Sequence, residues 1–548
     1  MPPKKKDFLK PKPKTKAKNQ DPQTENDFLE AADEHEQAAG KWRAGDAAKA
    51  TRFFNRAIEM YNEGLKRYPT SFDLAYNKAN LEYSITEDDR IVSQLGNRTA
   101  LLEETLESHR FAISLNPTNT DIQFNAAQVL TSLAEVLLES STQGAAKVSA
   151  RALLEEAVAI FTRCLEVQQR EYEQIQAEIA KAQASGEYQE AWEGGVSLDN
   201  VQPDNTTDTE STSSEAPGDW ATVEEPLTPE TILETCTAQL GVLITLLGLY
   251  DPSELSNIEK KAHDGTDTAT AKIPALITLI ETHPSPKPRQ EPKSGPTLSI
   301  GASAVEEETT TPKDDALLAT ANFQATIAEV AYRTGRSTST QYAQAIEQVF
   351  TKAASTTNTS DLAKANIQSS YADALIDLAS ALADGTQYTP SSPTFSTDVD
   401  LQWTALTQAQ SILTQLASAP YNALLSASRL ADIFMARGDT DLFRFRIALF
   451  DAAKPAWSKS KGVLVGNAGV FYRGGRSYAE RAGKGDVRGV ADAKAVVAEV
   501  LKEVASGAQA KKEEWKGRSA DIIKALEQMV EEGIVGREDA EGVVAAVS

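Results

Sequence analysis

The segments AIEMYNEGLKRYP (57–69), TLESHRFAISLNP (105–117) and AVAIFTRCLEVQQ (157–169) align without gaps and decide the fold. Each segment begins with a small or short residue and has a ring four positions later. A second small residue follows three positions after the ring, and the first two segments end in proline. The aligned residues are Ala57, Tyr61, Gly64 and Pro69 in the first segment, Thr105, His109, Ala112 and Pro117 in the second, and Ala157, Phe161 and Cys164 in the third.

The sequence that follows each proline repeats as well. LAYNKANLE (74–82) aligns with IQFNAAQVL (122–130), which pairs Asn77 with Asn125 and Asn80 with Gln128. Small residues at helical spacing let two helices approach closely, and proline ends a helix because it has no amide hydrogen and clashes with the preceding turn. A single pair of helices cannot bury its apolar face. The repeat therefore predicts an all-α fold of stacked antiparallel helical hairpins.

This spacing of small residue, ring, small residue and proline resembles the second helix of the tetratricopeptide repeat, clearly so over residues 27–182. In general appearance the chain resembles uncharacterised fungal members of that family. The resemblance implies an α-solenoid that binds proteins on its concave face. The family repeats every 34 residues, whereas the intervals here are 48 and 52 residues. The longer interval predicts helices that are extended by about two turns, at about 3.6 residues per turn.

The same resemblance implies four candidate groove residues, Asn77, Asn80, Asn125 and Gln128. Two interpretations stay open for the asparagines: they bond the backbone of a bound peptide, or they bond the neighbouring helix. Some members of the family hold the acidic tails of heat-shock chaperones with a clamp of Lys, Asn, Asn, Lys and Arg. The corresponding residues here are His35, Ala39, Asn77, Asp121 and Asn125. Only Asn77 matches, and two carboxylates need cations when they are partly desolvated, so we expect no chaperone tail as partner.

Composition divides the chain into helical segments and segments too poor in apolar residues to offset the entropy cost of ordering. The predicted parts are a disordered basic tail (1–26), tetratricopeptide-like repeats (27–184), a disordered acidic loop (185–228), a helical hairpin (229–283), a disordered linker rich in Pro, Ser and Thr (284–315), further helical repeats (316–510) and a C-terminal hairpin (511–548). Two interpretations of the last hairpin are open, a cap on the array and a separate contact site.

The net charge of -24 repels phosphate backbones, so we expect no nucleic acid as ligand. Such a charge serves solubility or favours a basic protein partner. Residues 1–18 run against this trend, with eight lysines and one aspartate. That run is either a nuclear-import signal or a solvated tail. Together with only two cysteines, which suit a reducing compartment, it predicts a location in the cytoplasm, the nucleus or both.

The sequence offers few residues for chemistry. None of its four histidines pairs with another His or Cys at metal-binding spacing, and neither Cys164 nor Cys236 has an activating neighbour in sequence. The glycine-rich stretch 462–489 lacks the spacing of a phosphate-binding loop and predicts a pair of close-packed helices instead. The sequence contains no run of eighteen apolar residues, so we expect no membrane-spanning helix. We therefore expect no catalytic, cofactor or metal site, and the chain is predicted not to be an enzyme.

Two functions remain as expectations. The first is a scaffold that binds protein partners on a concave helical face. The alternative is a dedicated chaperone or import adaptor for a basic client, for example in the assembly of ribosomes or nuclear complexes. The salt dependence of binding separates them, because an attraction between charges weakens as salt screens it, while binding in an apolar groove persists.

Overall fold

The computed structural model describes residues 21–140, 144–185, 227–282, 310–355, 360–385, 388–451, 453–506, 515 and 517–547. Within these ranges the regular structure is helical and contains no strand, which confirms the predicted all-α, solenoid-like fold. The chain forms two compact units, Met1–Ile160 and Phe161–Ser548.

The helices of the first unit follow one another along the chain with short turns between them. They are α1 (Glu25–Arg43), α2 (Ala47–Arg67), α3 (Phe72–Thr86), α4 (Asp89–Leu95), α5 (Arg98–Leu115), α6 (Thr120–Ser140) and α7 (Gly144–Ser185), of which the last continues beyond Ile160. The residue before each of α1 to α5 has a short polar side chain that accepts a hydrogen bond from a backbone amide in the first turn. These caps satisfy amides that have no partner within the helix and so fix where each helix begins.

In the first unit α1 packs on α2, α2 on α3, α3 on α5 and α5 on α6, and α3 also contacts both α1 and α6. These three helices therefore line one face, which we call the amide face after Asn77, Asn80, Asn125 and Gln128. Helices α2 and α5 end at Arg67 and Leu115, two residues before Pro69 and Pro117. This agrees with the steric restriction that proline places on the residue before it.

The two long repeat intervals have different structural causes. In the first interval, from Ala57 to Thr105, α3 has only 15 residues, and the additional length forms the separate short helix α4. The prediction of longer helices is therefore wrong for this interval. In the second interval, from Thr105 to Ala157, α6 is 21 residues long, so that helix is extended as predicted. Gly96, with φ of 125°, follows α4 and turns the chain into α5, a backbone conformation that favours glycine.

The second unit continues with helices in sequence order. They are α8 (Pro229–Leu249), α9 (Leu255–Asp267), a π-helical turn (Thr268–Lys272), α10 (Ile273–Thr282), α11 (Pro312–Arg333), α12 (Ser339–Ala354), α13 (Asp361–Ala383), α14 (Phe395–Leu416), a 3₁₀ turn (Tyr421–Ala423), α15 (Ala427–Ala448), α16 (Pro455–Arg481), α17 (Gly485–Ala505), α18 (Ser519–Glu531) and α19 (Arg537–Val547).

From α11 onward each helix packs on the next, and the alternate helices α11, α13, α15 and α17 contact one another in turn. These four helices line one face of the second unit, which we call the carboxylate face. Helices α12, α14 and α16 lie on the other side. This alternation is the arrangement expected of stacked hairpins, in which each hairpin buries its apolar side against its neighbours.

The glycine-rich stretch forms helices, as the sequence predicts. A Cβ atom built on Gly438 of α15 would lie 2.4 Å from the Tyr472 ring of α16, and one on Gly474 of α16 would lie 2.6 Å from the Phe434 ring of α15. These two glycines thus let α15 and α16 approach so closely that each accepts an aromatic ring of the other. The cost of glycine within a helix is offset here by the packing that its missing side chain permits.

Three predicted boundaries differ slightly from the observed ones. Helix α1 begins at Glu25, inside the predicted tail 1–26, because Thr24 and Asp27 form a capping box. Helix α7 ends at Ser185, the first residue of the predicted loop 185–228. Helix α11 begins at Pro312, inside the predicted linker 284–315, because Thr311 and Asp314 cap it in the same way. Residues 1–20, 186–226 and 284–309 of these three predicted disordered parts lie outside the described residues, as does residue 283 at the end of the predicted hairpin 229–283.

Helix α8 is long and apolar enough to cross a membrane, with a mean hydropathy of 1.7 over eighteen residues. It is the single helix of this kind in the described ranges, and the sequence-based expectation had not singled it out. It packs against α10 and α11, and 56% of that window is buried. A core helix of a helical array has the same composition.

Candidate functional site

The amide face of the first unit carries the four predicted groove residues, all of them half-buried. Asn77 and Asn80 lie on α3, and Asn125 and Gln128 lie on α6. The Asn125 amide donates a hydrogen bond of 2.9 Å to the Asn80 side-chain carbonyl. For Asn125 the structure therefore shows the bond to a neighbouring helix that was one of the two open interpretations.

The residues of the repeat pattern lie inside the packing of the helices. Ala57, Thr105 and Ala157 are buried, as are the rings Tyr61, His109 and Phe161 and the small residues Gly64, Ala112 and Cys164, whereas Pro69 and Pro117 are exposed at the helix ends. A Cβ atom on Gly64 would lie 3.0 Å from Leu74 of α3. The close approach of α2 and α3 thus depends on the absence of a side chain at this position.

Of the clamp residues, Ala39 is fully buried and Asp121 is exposed. His109 has its Nδ1 atom 2.8 Å from the Thr105 carbonyl oxygen, and burial lowers the pKa of its imidazole. Cys236 is buried, and burial raises the pKa of its thiol to about 12. A thiol with that pKa is a poor nucleophile. The described residues contain no group of three or more His, Cys, Asp or Glu residues arranged to hold a metal ion.

The carboxylate face of the second unit holds a pocket of about 350 Å³ that we call the acidic pocket. Its volume lies within the range of about 300–1,000 Å³ typical of ligand pockets. Carboxylates come from two positions on α13, one on α15 and one directly after α18, while apolar side chains and one serine form the rest of its wall. The carboxylates are Asp373, Asp377, Asp439 and Glu532, the apolar wall is Ile376, Ala436, Phe443 and Ile534, and the serine is Ser380.

Asp377 lines this pocket and is exposed to solvent. Neighbouring protein atoms still remove part of its hydration. This desolvation, together with the negative charges of Glu329 and Asp373, raises the pKa of Asp377 to about 7. Burial of a carboxyl group beside other carboxylates disfavours the charged form. The positive charge of Arg333 opposes this shift but does not cancel it, because that guanidinium pairs with Glu329 at 2.7 Å and with Asp384 at 3.2 Å.

Asp373 is better compensated than Asp377. The Arg429 guanidinium of α15 lies 3.8 Å from the Asp373 carboxylate and donates a hydrogen bond to Ser369. Desolvation still raises the pKa of Asp373, and Arg429 only partly offsets it. The two carboxylates are four residues apart on α13, so they lie on the same face of the helix.

Asp439 forms an ion pair with a buried lysine. The Lys494 ammonium of α17 lies 2.9 and 3.1 Å from the two carboxylate oxygens of Asp439, and the Tyr472 hydroxyl donates a hydrogen bond of 2.7 Å to one of these oxygens. Burial alone lowers the pKa of Lys494, but attraction to Asp439 and Glu532 outweighs burial and raises it. Lys494 is therefore a charged ammonium with only 5% of its side chain exposed, held in place by the carboxylate it neutralises.

The acidic pocket is suited to an organic cation. Its carboxylates accept hydrogen bonds, and its apolar wall matches the aliphatic stem of a lysine or arginine side chain. Sequence reasoning missed this pocket because its members are spread over 160 residues, from 373 to 532. The one signal in the sequence was the pair Asp373 and Asp377, two acids at helical spacing in the otherwise apolar segment YADALIDLASALA (371–383).

No protein-family model matches the chain. A region of 156 residues is 28% identical to the UPF0656 protein C926.02 of Schizosaccharomyces pombe. The matched region covers 28% of this chain and 33% of the yeast protein, so the chain spans about a third of the length of that curated relative. The resemblance to fungal proteins that the sequence suggested agrees with this finding.

Proposed function

We propose that the chain is a non-enzymatic, tetratricopeptide-like scaffold that binds a lysine- or arginine-rich segment of a protein partner on its carboxylate face. The observation that carries the proposal is the acidic pocket, in which Asp377 has a raised pKa and lies on a face lined by alternate helices. A cationic side chain that enters the pocket supplies the positive charge that the surrounding residues provide only in part.

The local charge supports the proposal independently of the overall charge. Asp439 is paired with Lys494, and Asp373 is near Arg429, whereas no cation among the described residues lies within ion-pair distance of Asp377. A guanidinium between Asp373 and Asp377 would pair with two carboxylates at once, since arginine presents five N–H donors in a planar fork.

The test measures the binding of an acetylated arginine-rich peptide to the full chain by fluorescence anisotropy. We expect the double change Asp373→Asn and Asp377→Asn to weaken binding by about tenfold or more, since two charge-assisted hydrogen bonds are lost. Glu347→Gln, an exposed acid on α12, removes a charge from the opposite side of the array and serves as the control. Equal weakening by the control would mean that only net charge matters, and the proposal would fail.

The second candidate is a dedicated chaperone or import adaptor that shields a basic client. The acidic pocket favours a basic client over an apolar one. Under this function, binding falls steeply between low and moderate salt, because exposed charge pairs are screened within about 10 Å at 0.1 M salt. A partner that stays bound at moderate salt and is insensitive to Asp377→Asn would instead identify a scaffold with an apolar groove.

A further inference from the structure

An open groove of about 810 Å³ runs between the two C-terminal helices of the second unit, α18 and α19. We call it the C-terminal groove. Its floor is apolar: Ile523, Leu526 and Val530 come from α18 and Val544 comes from α19. The first three residues recur at three- and four-residue spacing and so lie on one side of α18, where Ile523 and Val530 are half-buried and Leu526 is buried. Val544 is 37% exposed on the opposite wall.

The rim of the C-terminal groove is acidic. Glu527 and Glu531 lie on α18, Glu541 lies on α19 and Asp384 is a further lining residue, while Arg537 is the one cation that lines the groove. The surface thus combines an apolar floor with negative charge on both sides. It differs from the acidic pocket, where four of the nine lining residues are carboxylates.

We propose that the C-terminal groove docks an amphipathic helix of a partner protein, with aliphatic residues on one face and lysines or arginines along both flanks. Helices α18 and α19 have 13 and 11 residues and, at about 1.5 Å per residue, extend about 20 and 16 Å. The groove therefore holds about three turns of a third helix. The apolar face of that helix would cover the floor, and its flanking cations would meet the acidic rim.

Charge argues against two other occupants. A second copy of this chain would bring the same acidic rim to the interface, and like charges placed together oppose association. The basic segment 1–18 of the chain itself contains Pro11 and Pro13 between its lysines, and proline in a helix interior removes a hydrogen bond and clashes with the preceding turn. A helix from another protein is the occupant that satisfies both the floor and the rim.

The probe is a fluorescein-labelled peptide of fourteen residues with leucines at helical spacing and lysines on both flanks, titrated with the full chain. Two matched peptides carry glutamate in place of each lysine or asparagine in place of each leucine. We expect only the first peptide to bind, and to bind more weakly as salt rises. Equal binding of the glutamate peptide would overturn the charge argument, and equal binding of the asparagine peptide would overturn the role of the floor.

Two variants of the chain test whether the peptide binds in the C-terminal groove. We expect Val544→Asp to weaken binding of the lysine peptide by about tenfold or more, since a charge enters the apolar floor. The rim change Glu527→Lys with Glu541→Lys is expected to weaken it to a similar extent while leaving the core untouched. Val463→Asp, at a valine 63% exposed on α16, is the matched control, and circular dichroism melting verifies that each variant is folded.

Further outcomes separate this proposal from the proposed function. Asp377→Asn removes charge from the acidic pocket and is expected to leave binding of the lysine peptide unchanged. If Asp377→Asn weakens the peptide and the groove variants do not, the peptide binds in the acidic pocket and the inference is wrong. Sedimentation velocity that shows a dimer of the chain, lost in Val544→Asp, would assign the groove to a second copy and would also overturn it.

Discussion

The first unit lines its amide face with asparagine and glutamine side chains, whereas the second unit lines its carboxylate face with aspartate and glutamate. An amide both donates and accepts hydrogen bonds, so Asn125 and Asn80 satisfy part of each other's needs across two helices. An ionised carboxylate only accepts, so two carboxylates cannot satisfy each other. The second face therefore needs cations, and the protein supplies one fully to Asp439 but leaves Asp377 with a raised pKa.

Loss of the Lys494 cation is the largest effect expected from this comparison. Lys494→Met leaves the Asp439 carboxylate, only 15% exposed, without its ammonium. Removing one partner of a buried ion pair typically costs about 3–5 kcal/mol of the free energy of unfolding. Denaturant unfolding measures the change. Lys494→Met together with Asp439→Leu is expected to recover much of the loss, and a loss below about 1 kcal/mol in Lys494→Met would show that the pair is structurally unimportant.

The next largest expected effect is the loss of stability when a close-packed glycine in each unit is replaced by alanine. Gly438→Ala puts a methyl group 2.4 Å from the Tyr472 ring, whereas the nearest atoms to the methyl of Gly64→Ala are the end of the Leu74 side chain at 3.0 Å and Phe28 Cβ at 3.1 Å. A ring held by a hydrogen bond moves less readily than a leucine methyl. We expect a loss of about 2–3 kcal/mol for Gly438→Ala and about 1 kcal/mol for Gly64→Ala, measured by thermal unfolding.

The control for both substitutions is Gly462→Ala on α16. That glycine is exposed and has no atom within 4 Å of an added Cβ. Alanine there is expected to raise the free energy of unfolding by about 0.5–1 kcal/mol, the ordinary difference in helix propensity. A stabilising Gly438→Ala would contradict the close packing of α15 and α16.

The pH dependence of peptide binding tests the raised pKa of Asp377. A bound guanidinium favours the carboxylate form, so binding releases a proton whenever Asp377 is protonated beforehand. With a pKa of about 7, affinity for an arginine-rich peptide is expected to rise by about tenfold from pH 6 to pH 8. Asp377→Asn should give a flat profile over that range. A wild-type profile that is already flat would mean that Asp377 is not at the binding site.

The same raised pKa affects stability in the opposite direction. The folded chain holds a proton on Asp377 that the unfolded chain releases near the ordinary value of 3.8. The free energy of unfolding therefore falls as the pH rises from about 4 to about 7, and Asp377→Asn removes this contribution. Chemical unfolding of the two proteins at pH 5 and pH 8 compares them, and the variant is expected to gain stability relative to the wild type at the higher pH.

The smallest expected effect lies on the amide face. Asn125→Ala removes the hydrogen bond to Asn80, and because both residues are only half-buried, the loss is expected to be about 0.5–1 kcal/mol. Binding of the arginine-rich peptide should be unchanged, since the proposed site is in the second unit. Weaker peptide binding in Asn125→Ala would show that the peptide binds on the amide face of the first unit rather than on the carboxylate face of the second.

The sequence was sufficient to predict the fold because the residues that interlock neighbouring helices are close together in the chain. Ala57, Tyr61 and Gly64 lie within eight residues, and their repeat after 48 and 52 residues indicated stacked hairpins. Helix α4 was not predicted, because nothing in its seven residues distinguishes an inserted helix from an extension of α3.

The acidic pocket could not be predicted in the same way. Asp439 and Lys494 are 55 residues apart, and only the contact of α15 with α17 brings them together. The raised pKa of Asp377 depends on how much protein surrounds it, which no local pattern encodes. The amides of the first unit were easier to find because a known family has residues at equivalent positions, yet one of them bonds its neighbour in the structure.

The rate at which the Lys494 amine is acylated reports how often the second unit opens. Acylating reagents attack the neutral form of an amine, and this amine is both shielded and held in its protonated form by Asp439. Labelling at this position requires α15 and α17 to separate, whereas Lys461 on α16 is exposed at all times. The ratio of the two labelling rates therefore measures how often this part of the array opens, and a ligand that holds these helices together would lower it.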